Sequence, residues 1–138
     1  MKIAIGSDHA GKELKSFIID FLNLTNNTVL DYGVAADSAG SVDYPDYADI
    51  VASEISNNRA DRGILICGTG TGMCIAANKF PGVRAVVVFD EFTTRMSRAH
   101  NDANVLCLGA RTVNHQRAID FVKIWLSTEF EEGRHRTR

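Results

Sequence analysis

Five short apolar runs, each followed after a brief connection by apolar residues at helical spacing, set the strongest limit on what this chain can fold into. Lys2 to Gly6 is the first run, and Leu14, Phe17, Ile18, Phe21 and Leu22 then recur on one helix face. Thr28 to Tyr32 is the second, closed by Gly33, with a polar loop from Ala36 to Asp46 before a helix lined by Ala48, Val51, Ala52 and Ile55. Gly63 to Cys67 leads to a helix carrying Met73, Ala76, Ala77 and Phe80, stopped by Pro81-Gly82. Val83 to Phe89 is nearly all apolar, which predicts a strand buried on both faces. Phe92, Met96, Ala99 and Ala103 mark a fourth helix, Val105 to Leu108 a fifth strand, and Ala118, Val122 and Trp125 a fifth helix. Parallel neighbours need crossover helices, so this alternation predicts an α/β fold with an open five-stranded parallel sheet covered on both faces. In the order 2-1-3-4-5, a ligand sits where strands 1 and 3 diverge.

Length and charge narrow the function. At 138 residues with 45% hydrophobic content, residues 1–138 are expected to form one domain. A formal net charge of −2 argues against a dedicated nucleic-acid binder, although Arg134, His135, Arg136 and Arg138 crowd a basic tail suited to an anion. No apolar run approaches the roughly 18 residues that span a bilayer, and Met1 to Gly6 reads as a strand rather than a leader, so no membrane association and a cytoplasmic location are expected. Cys67, Cys74 and Cys107 have no metal-ligand spacing and cannot all pair, which points to reduced thiols and no metal centre. The N-x-T matches at Asn23 and Asn26 then carry no meaning.

The chemistry-bearing residues converge on the predicted switch point. Ser7-Asp8-His9 follow the first strand and Cys67-Gly68-Thr69 the third. In Cys67-Gly68-Thr69-Gly70-Thr71-Gly72, alternate glycines let backbone amides face inward, and the following helix adds positive partial charge, an environment that stabilises a thiolate. Plain burial is the competing account of any cysteine, and it is the better one for Cys74 and Cys107. Gly6 to Glu13 imitates a P-loop, but Glu13 replaces the magnesium-binding hydroxyl and Asp8 would repel a polyphosphate. The glycines at 68, 70 and 72 miss the third position of G-x-G-x-x-G, although Asp90 stands roughly where a ribose-binding acid belongs. His9 and His100 read by default as surface histidines, Asp102 and Asn104 as helix-ending turn formers, and the last arginines as a solvated tail.

Six phrases together resemble the type B ribose-5-phosphate isomerases: Gly6-Ser7-Asp8-His9-Ala10-Gly11, Asp43-Tyr44-Pro45, Ile66 to Gly72, Ala76-Ala77-Asn78-Lys79, His100 to Val105 and Gly133-Arg134-His135. The resemblance runs from residue 2 to the tail, and it implies a Rossmann-like three-layer α/β/α sandwich that needs no metal or cofactor. It further implies that the substrate is a small sugar phosphate and that the enzyme is a homodimer or a dimer of dimers with shared sites. Cys67 would be the base that moves a proton from C2 to C1, Thr69 would shuttle protons between O1 and O2, and Gly68, Gly70, Thr71 and Gly72 would hold the enediolate. His100 with Asp8 would open the furanose ring, Tyr44 and Asn101 would contact the sugar, and His9, Arg111, Arg134 and Arg138 would hold the phosphate. His100, Asn101 and the tail arginines would come from a different chain than Cys67.

Three rivals follow from the same residues. Galactose-6-phosphate isomerase subunits share the fold but divide the catalytic residues, whereas this chain keeps both Cys67 and His100; allose 6-phosphate is a further candidate substrate. A phosphosugar-binding module would have no use for Cys67, Thr69, Asp8 and His100 together. A thiol redox protein would pair Cys67 with Cys74.

Overall fold

The computed structural model describes residues 1–138. Its elements are β1 (Lys2–Ser7), α1 (Lys12–Asn23), β2 (Thr28–Asp31), α2 (Tyr44–Ser56), β3 (Arg62–Cys67), α3 (Thr71–Ala77), β4 (Ala85–Val87), α4 (Glu91–Ala99), β5 (Val105–Gly109), α5 (His115–Ser127) and α6 (Arg134–Thr137). The five strands form one parallel sheet, and the alternation read from the sequence is the alternation observed. No helix is long and apolar enough to cross a membrane.

The strand order is β2-β1-β3-β5-β4, which corrects the expected 2-1-3-4-5. The apolar run from Val83 to Phe89 yields only three strand residues, with Val86 and Val87 half-buried and Phe89 53% exposed. All five residues of β5 are buried, so β5 takes the interior place and β4 the edge. The exchange lies on the far side of β3, so the chain still diverges between β1 and β3.

Alternation along the strands sorts the core into two layers. Ile3, Ile5, Ile64, Ile66, Leu106 and Leu108 face α1 and α5, where Trp125, Phe121 and Leu14 are buried. Ala4, Leu65, Cys67, Val105 and Cys107 face α2 and α3. The predicted inner residues Ala48, Val51, Ala52 and Ile55 of α2 are all buried.

Helix α4 keeps part of its predicted face, with Ala99 and the following Ala103 buried, and departs from it elsewhere. Phe92 is 71% exposed, while Thr94, Ser97 and Arg98 are buried. This helix packs on α5 beside the edge strand, and its inner polar groups satisfy one another locally. Arg98 donates to the carbonyl of Ala103 at 2.7 Å and to Asp102 at 2.8 Å, and Ser97 to the carbonyl of Thr94. Asp90 caps the helix by accepting from the amide of Thr93 at 2.7 Å, a structural task that accounts for its place after β4.

Under α1, the buried Lys15 holds both carboxylate oxygens of Asp31, at 2.7 and 2.8 Å, beside Gly33. This pair fixes where the loop between β2 and α2 leaves the sheet.

Entry into α1 demands close approach of two backbones. A Cβ on Gly11 would stand 2.8 Å from the carbonyl oxygen of Ile66 and 2.6 Å from its Cγ2. Gly11→Ala should therefore destabilise the fold by about 1–3 kcal/mol, the usual cost of overpacking, read as a lower urea midpoint with an unchanged slope. An unchanged midpoint would show that α1 can shift away from β3 freely.

Candidate active site

The carboxyl ends of β1 and β3 place Asp8 and Cys67 beside each other, and the amide of Asp8 donates to the carbonyl of Ile66 at 3.2 Å. Asp8 Oδ1 accepts from the amides of Ala10 and Gly11 at 2.9 and 3.3 Å, so the carboxylate is oriented by the turn that starts α1. The amide of Val42 donates to Nδ1 of His9 at 3.1 Å. A nitrogen that accepts carries no proton, so the proton of His9 sits on Nε2, the atom left for a ligand.

Cys67 is 5% exposed, and the amide of Gly70 donates to its Sγ at 3.2 Å. That contact needs the left-handed backbone of Gly70 (φ 80°), which also turns the chain into α3. The neighbouring glycines are small because side chains from other elements lie on them. A Cβ on Gly68 would meet Nη1 of Arg111 at 2.9 Å, and one on Gly72 would meet the Tyr44 ring at 2.6 Å. The amide of Arg111 also donates to the carbonyl of Gly68 at 3.0 Å. Thr69 stands exposed on the loop and Thr71 exposed at the start of α3. The structure thus brings together Asp8, His9, Tyr44, Cys67, Thr69, Arg111 and the glycine loop: a thiol, a carboxylate, an imidazole and a guanidinium around a glycine-rich turn.

His100, Asn101 and the tail lie elsewhere. His100 ends α4, and five residues on Val105 pairs with Gly63 at the start of β3, whereas Cys67 pairs with Gly109 at its end. The four residue steps of β5 separate these two sheet edges by about 13 Å. His100 and Asn101 line an open groove of about 720 Å³ with His135, Arg136 and Arg138, and no residue of the cysteine loop borders it. The segment before α6 is tied to α4 by the amide of Glu131, which donates to the carbonyl of Ala99 at 2.9 Å. The ring of His135 stacks on that of His100, centroids 4.2 Å apart. Burial and the neighbouring His100 hold His135 below the usual histidine range.

Asp102 and Asn104 are structural, as turn formers should be. Asp102 receives Arg98 and Arg84, and Asn104 accepts from the amide of Arg84 at 2.8 Å and donates to the carbonyl of Gly82. Neither Glu131 nor His135's contact with His100 was legible from periodicity, because residues 128–133 form an irregular segment. The phrase Gly133-Arg134-His135 was the only sign.

Comparison with known proteins decides the family. The model of the Ribose/Galactose Isomerase family matches residues 3–138. The chain belongs to this family. Ribose-5-phosphate isomerase B of Escherichia coli is 46% identical over 137 residues, covering 99% of this chain and 91% of that protein. The solved structure of Clostridium thermocellum ribose-5-phosphate isomerase B is similar with a TM-score of 0.96 at 52% identity, covering 100% of this chain and 92% of that one. Ribose-5-phosphate isomerase B from Mycoplasma genitalium, solved with bound ribulose-5-phosphate, gives a TM-score of 0.94 at 45% identity, covering 99% and 90%. The fold is that of these isomerases, Rossmann-like with helices on both faces of a parallel sheet.

The other two cysteines share the α2/α3 side of the sheet with Cys67. Cys107 is fully buried, as expected, and Cys74 is only half-buried. The neighbouring Cys107 lowers Cys74 to about 7, while burial pushes Cys107 well up. Cys74 also contacts the carbonyl of Ala85 at 3.4 Å and the amide nitrogen of Asn78 at 3.6 Å. These contacts turn it toward β4 and β5, which does not favour a Cys67 to Cys74 disulfide. Peptide mapping after brief iodoacetamide treatment should find Cys74 alkylated well ahead of Cys107, with its rate rising through pH 7 as the thiolate forms. Equal labelling of the two would refute the difference between these thiols.

Proposed function

We propose that the protein is an aldose–ketose isomerase interconverting ribose 5-phosphate and ribulose 5-phosphate, with residues 1–138 as one catalytic domain and a basic tail at 133–138. The observation that carries this reading is Cys67, held at the switch point under the amide of Gly70 and facing a loop of amides flanked by Arg111. The whole-length likeness to ribose-5-phosphate isomerase B proteins supports the choice of substrate.

The thiolate of Cys67 removes the C2 proton of the open-chain aldose, and the electron pair moves to form a cis-enediolate. Amides from Gly68 to Gly72 receive the developing negative charge, which is worth most in a site that excludes water. Thr69 passes the hydroxyl proton between O2 and O1, and Cys67 returns its proton to C1. Arg111 and Nε2–H of His9 bind the phosphate with Arg134 and Arg138, and Tyr44 and Asn101 contact the sugar. His100 and Asp8 open the furanose ring. Side chains perform every proton transfer, so the proposed reaction calls for no metal or cofactor.

One chain holds Cys67 and His100 at opposite sheet edges, so we propose a homodimer, or a dimer of such dimers, in which each site takes its halves from two copies. The exposed Tyr44, Phe89 and Phe92 offer apolar surface for such contacts. Partners beyond the sugar phosphate and a second copy, nucleic acid and membrane included, are not part of this proposal, and the enzyme is placed in the cytoplasm.

The first test is ketose formation from ribose 5-phosphate by metal-stripped protein, with allose and galactose 6-phosphates as comparison substrates. Cys67→Ala should lower turnover by about 10²–10⁴-fold, the contribution of a positioned base, while leaving phosphosugar binding intact. Turnover of none of these sugars, with binding retained, would favour a sensing module. His100→Asn should slow the pentose more than a four-carbon aldose 4-phosphate, which has no hydroxyl free to close a furanose. Equal losses on both would remove His100 from ring opening. Finally, Cys67→Ala and His100→Asn chains refolded together in equal amounts should regain about a quarter of wild-type activity, since half of the random dimers carry one intact site. No recovery would refute sharing.

A further inference from the structure

Three side chains converge at the edge away from Cys67, and of these only His100 has a task in the scheme above. Nε2 of His100 lies 3.7 Å from Oε2 of Glu131, and Nε2 of His135 lies 3.8 Å from the same oxygen. One ligand atom from each of the three falls within 4.8 Å of the others. None of these contacts is a hydrogen bond. We propose that His100, Glu131 and His135 form a binding site for a divalent transition-metal ion of the zinc class, and that occupation of this site inhibits the enzyme reversibly.

The donor set is the first argument. Two imidazoles and a carboxylate suit Zn²⁺ and its neighbours, and a tetrahedral centre leaves a fourth position for water. Distance is the second. Ligand atoms about 2.1 Å from a tetrahedral ion stand about 3.4 Å from one another. The two edges at Glu131 exceed this by a few tenths of an ångström, which side-chain rotation supplies. The rings now stack within 8° of parallel, so they must pivot toward a common point to aim their lone pairs at one ion.

The scaffold is the third argument, because the three residues are tied together through backbone. The amide of Glu131 is bonded to the carbonyl of Ala99, the residue before His100, and the amide of His135 donates to the carbonyl of Glu132 at 3.0 Å. Arg98, 4% exposed, fixes the turn that follows His100 through Asp102 and Ala103. The nearby Arg136 is engaged by Glu132 at 2.9 Å. Arg134 and Arg138 also bear on His135, and the carboxylate of Glu131 supplies the charge that opposes them.

The inhibitory consequence rests on the reading of His100 as the ring-opening residue. An ion held by its Nε2 removes the lone pair that would take or return a proton. Binding and inhibition are therefore separate readouts.

The test is a titration of the intact, metal-stripped protein with Zn²⁺ by calorimetry, and with Co²⁺ by visible absorption, alongside isomerase assays with and without a chelator. One ion per chain, a tetrahedral Co²⁺ spectrum and activity restored by the chelator are expected. His135→Ala and Glu131→Gln should each weaken binding by more than about tenfold, yet keep the metal-free turnover. Cys67→Ala should bind as tightly as wild type. Undiminished binding in both the His135 and Glu131 variants, binding lost in Cys67→Ala, or no binding to wild type would each overturn the site. Zinc bound as expected by a protein that isomerises no sugar would instead refute the functional reading and leave the metal site standing.

Discussion

Parallel pairing of β1, β3 and β5 brings their carboxyl ends to one edge of the sheet, and each return to the next strand runs through a helix that ends at the opposite edge. Residues just after a strand and residues just after a helix are therefore kept apart by the length of a strand. Asp8 and Cys67 belong to the first class and His100 to the second. No rotamer change can join them within a chain, because the strand between is buried along its whole length. The separation of Cys67 from His100 is thus a property of the topology, and the proposed sharing of sites between two copies would reconcile it with a reaction that uses both.

Crowding at the carboxyl edge depends on the same pairing. Gly11 lies against the Ile66 carbonyl, Gly68 under Arg111, Gly72 under Tyr44, and Gly70 turns through a left-handed conformation to reach the Cys67 sulfur. The first three contacts bring in the start of α1, the segment after β5 and the start of α2, and the fourth is the loop's own hydrogen bond, so the loop is held from several sides. Such a loop can present amides to an anion without reorganising, which is the condition under which electrostatic stabilisation is most effective.

Much of this was legible in the sequence where a residue's environment is set by local pattern. The βα alternation, the inner face of α2 and the meeting of Asp8 with Cys67 follow from periodicity and from the rule for switch points. The pattern misled where an apolar residue faces outward. Val83 to Phe89 and Phe92 look like core, yet β4 is an edge strand and Phe92 is exposed, because neither burial nor strand order is encoded in apolar content alone. The polar part of the inner face of α4 was illegible for the converse reason: Thr94, Ser97 and Arg98 are buried with their hydrogen bonds met locally, and periodicity counts only apolar residues.

The cluster around His100 was the least legible part, and its physics explains why. Glu131 comes from an irregular segment and His135 from a four-residue helix, and both reach His100 only because the chain folds back along α4 after α5. Nothing in their spacing encodes that return. Its energetics are also distinct from those of the core: the segment is held by the Glu131 amide, the stacked rings and the Arg98 contact with the Thr128 carbonyl, with little apolar burial. A segment secured this way can change its side-chain arrangement at small cost to the fold. Rearrangement at His100 is thereby decoupled from the sheet, whereas any comparable change at Cys67 would have to displace the contacts of Gly11, Gly68 and Gly72 at once.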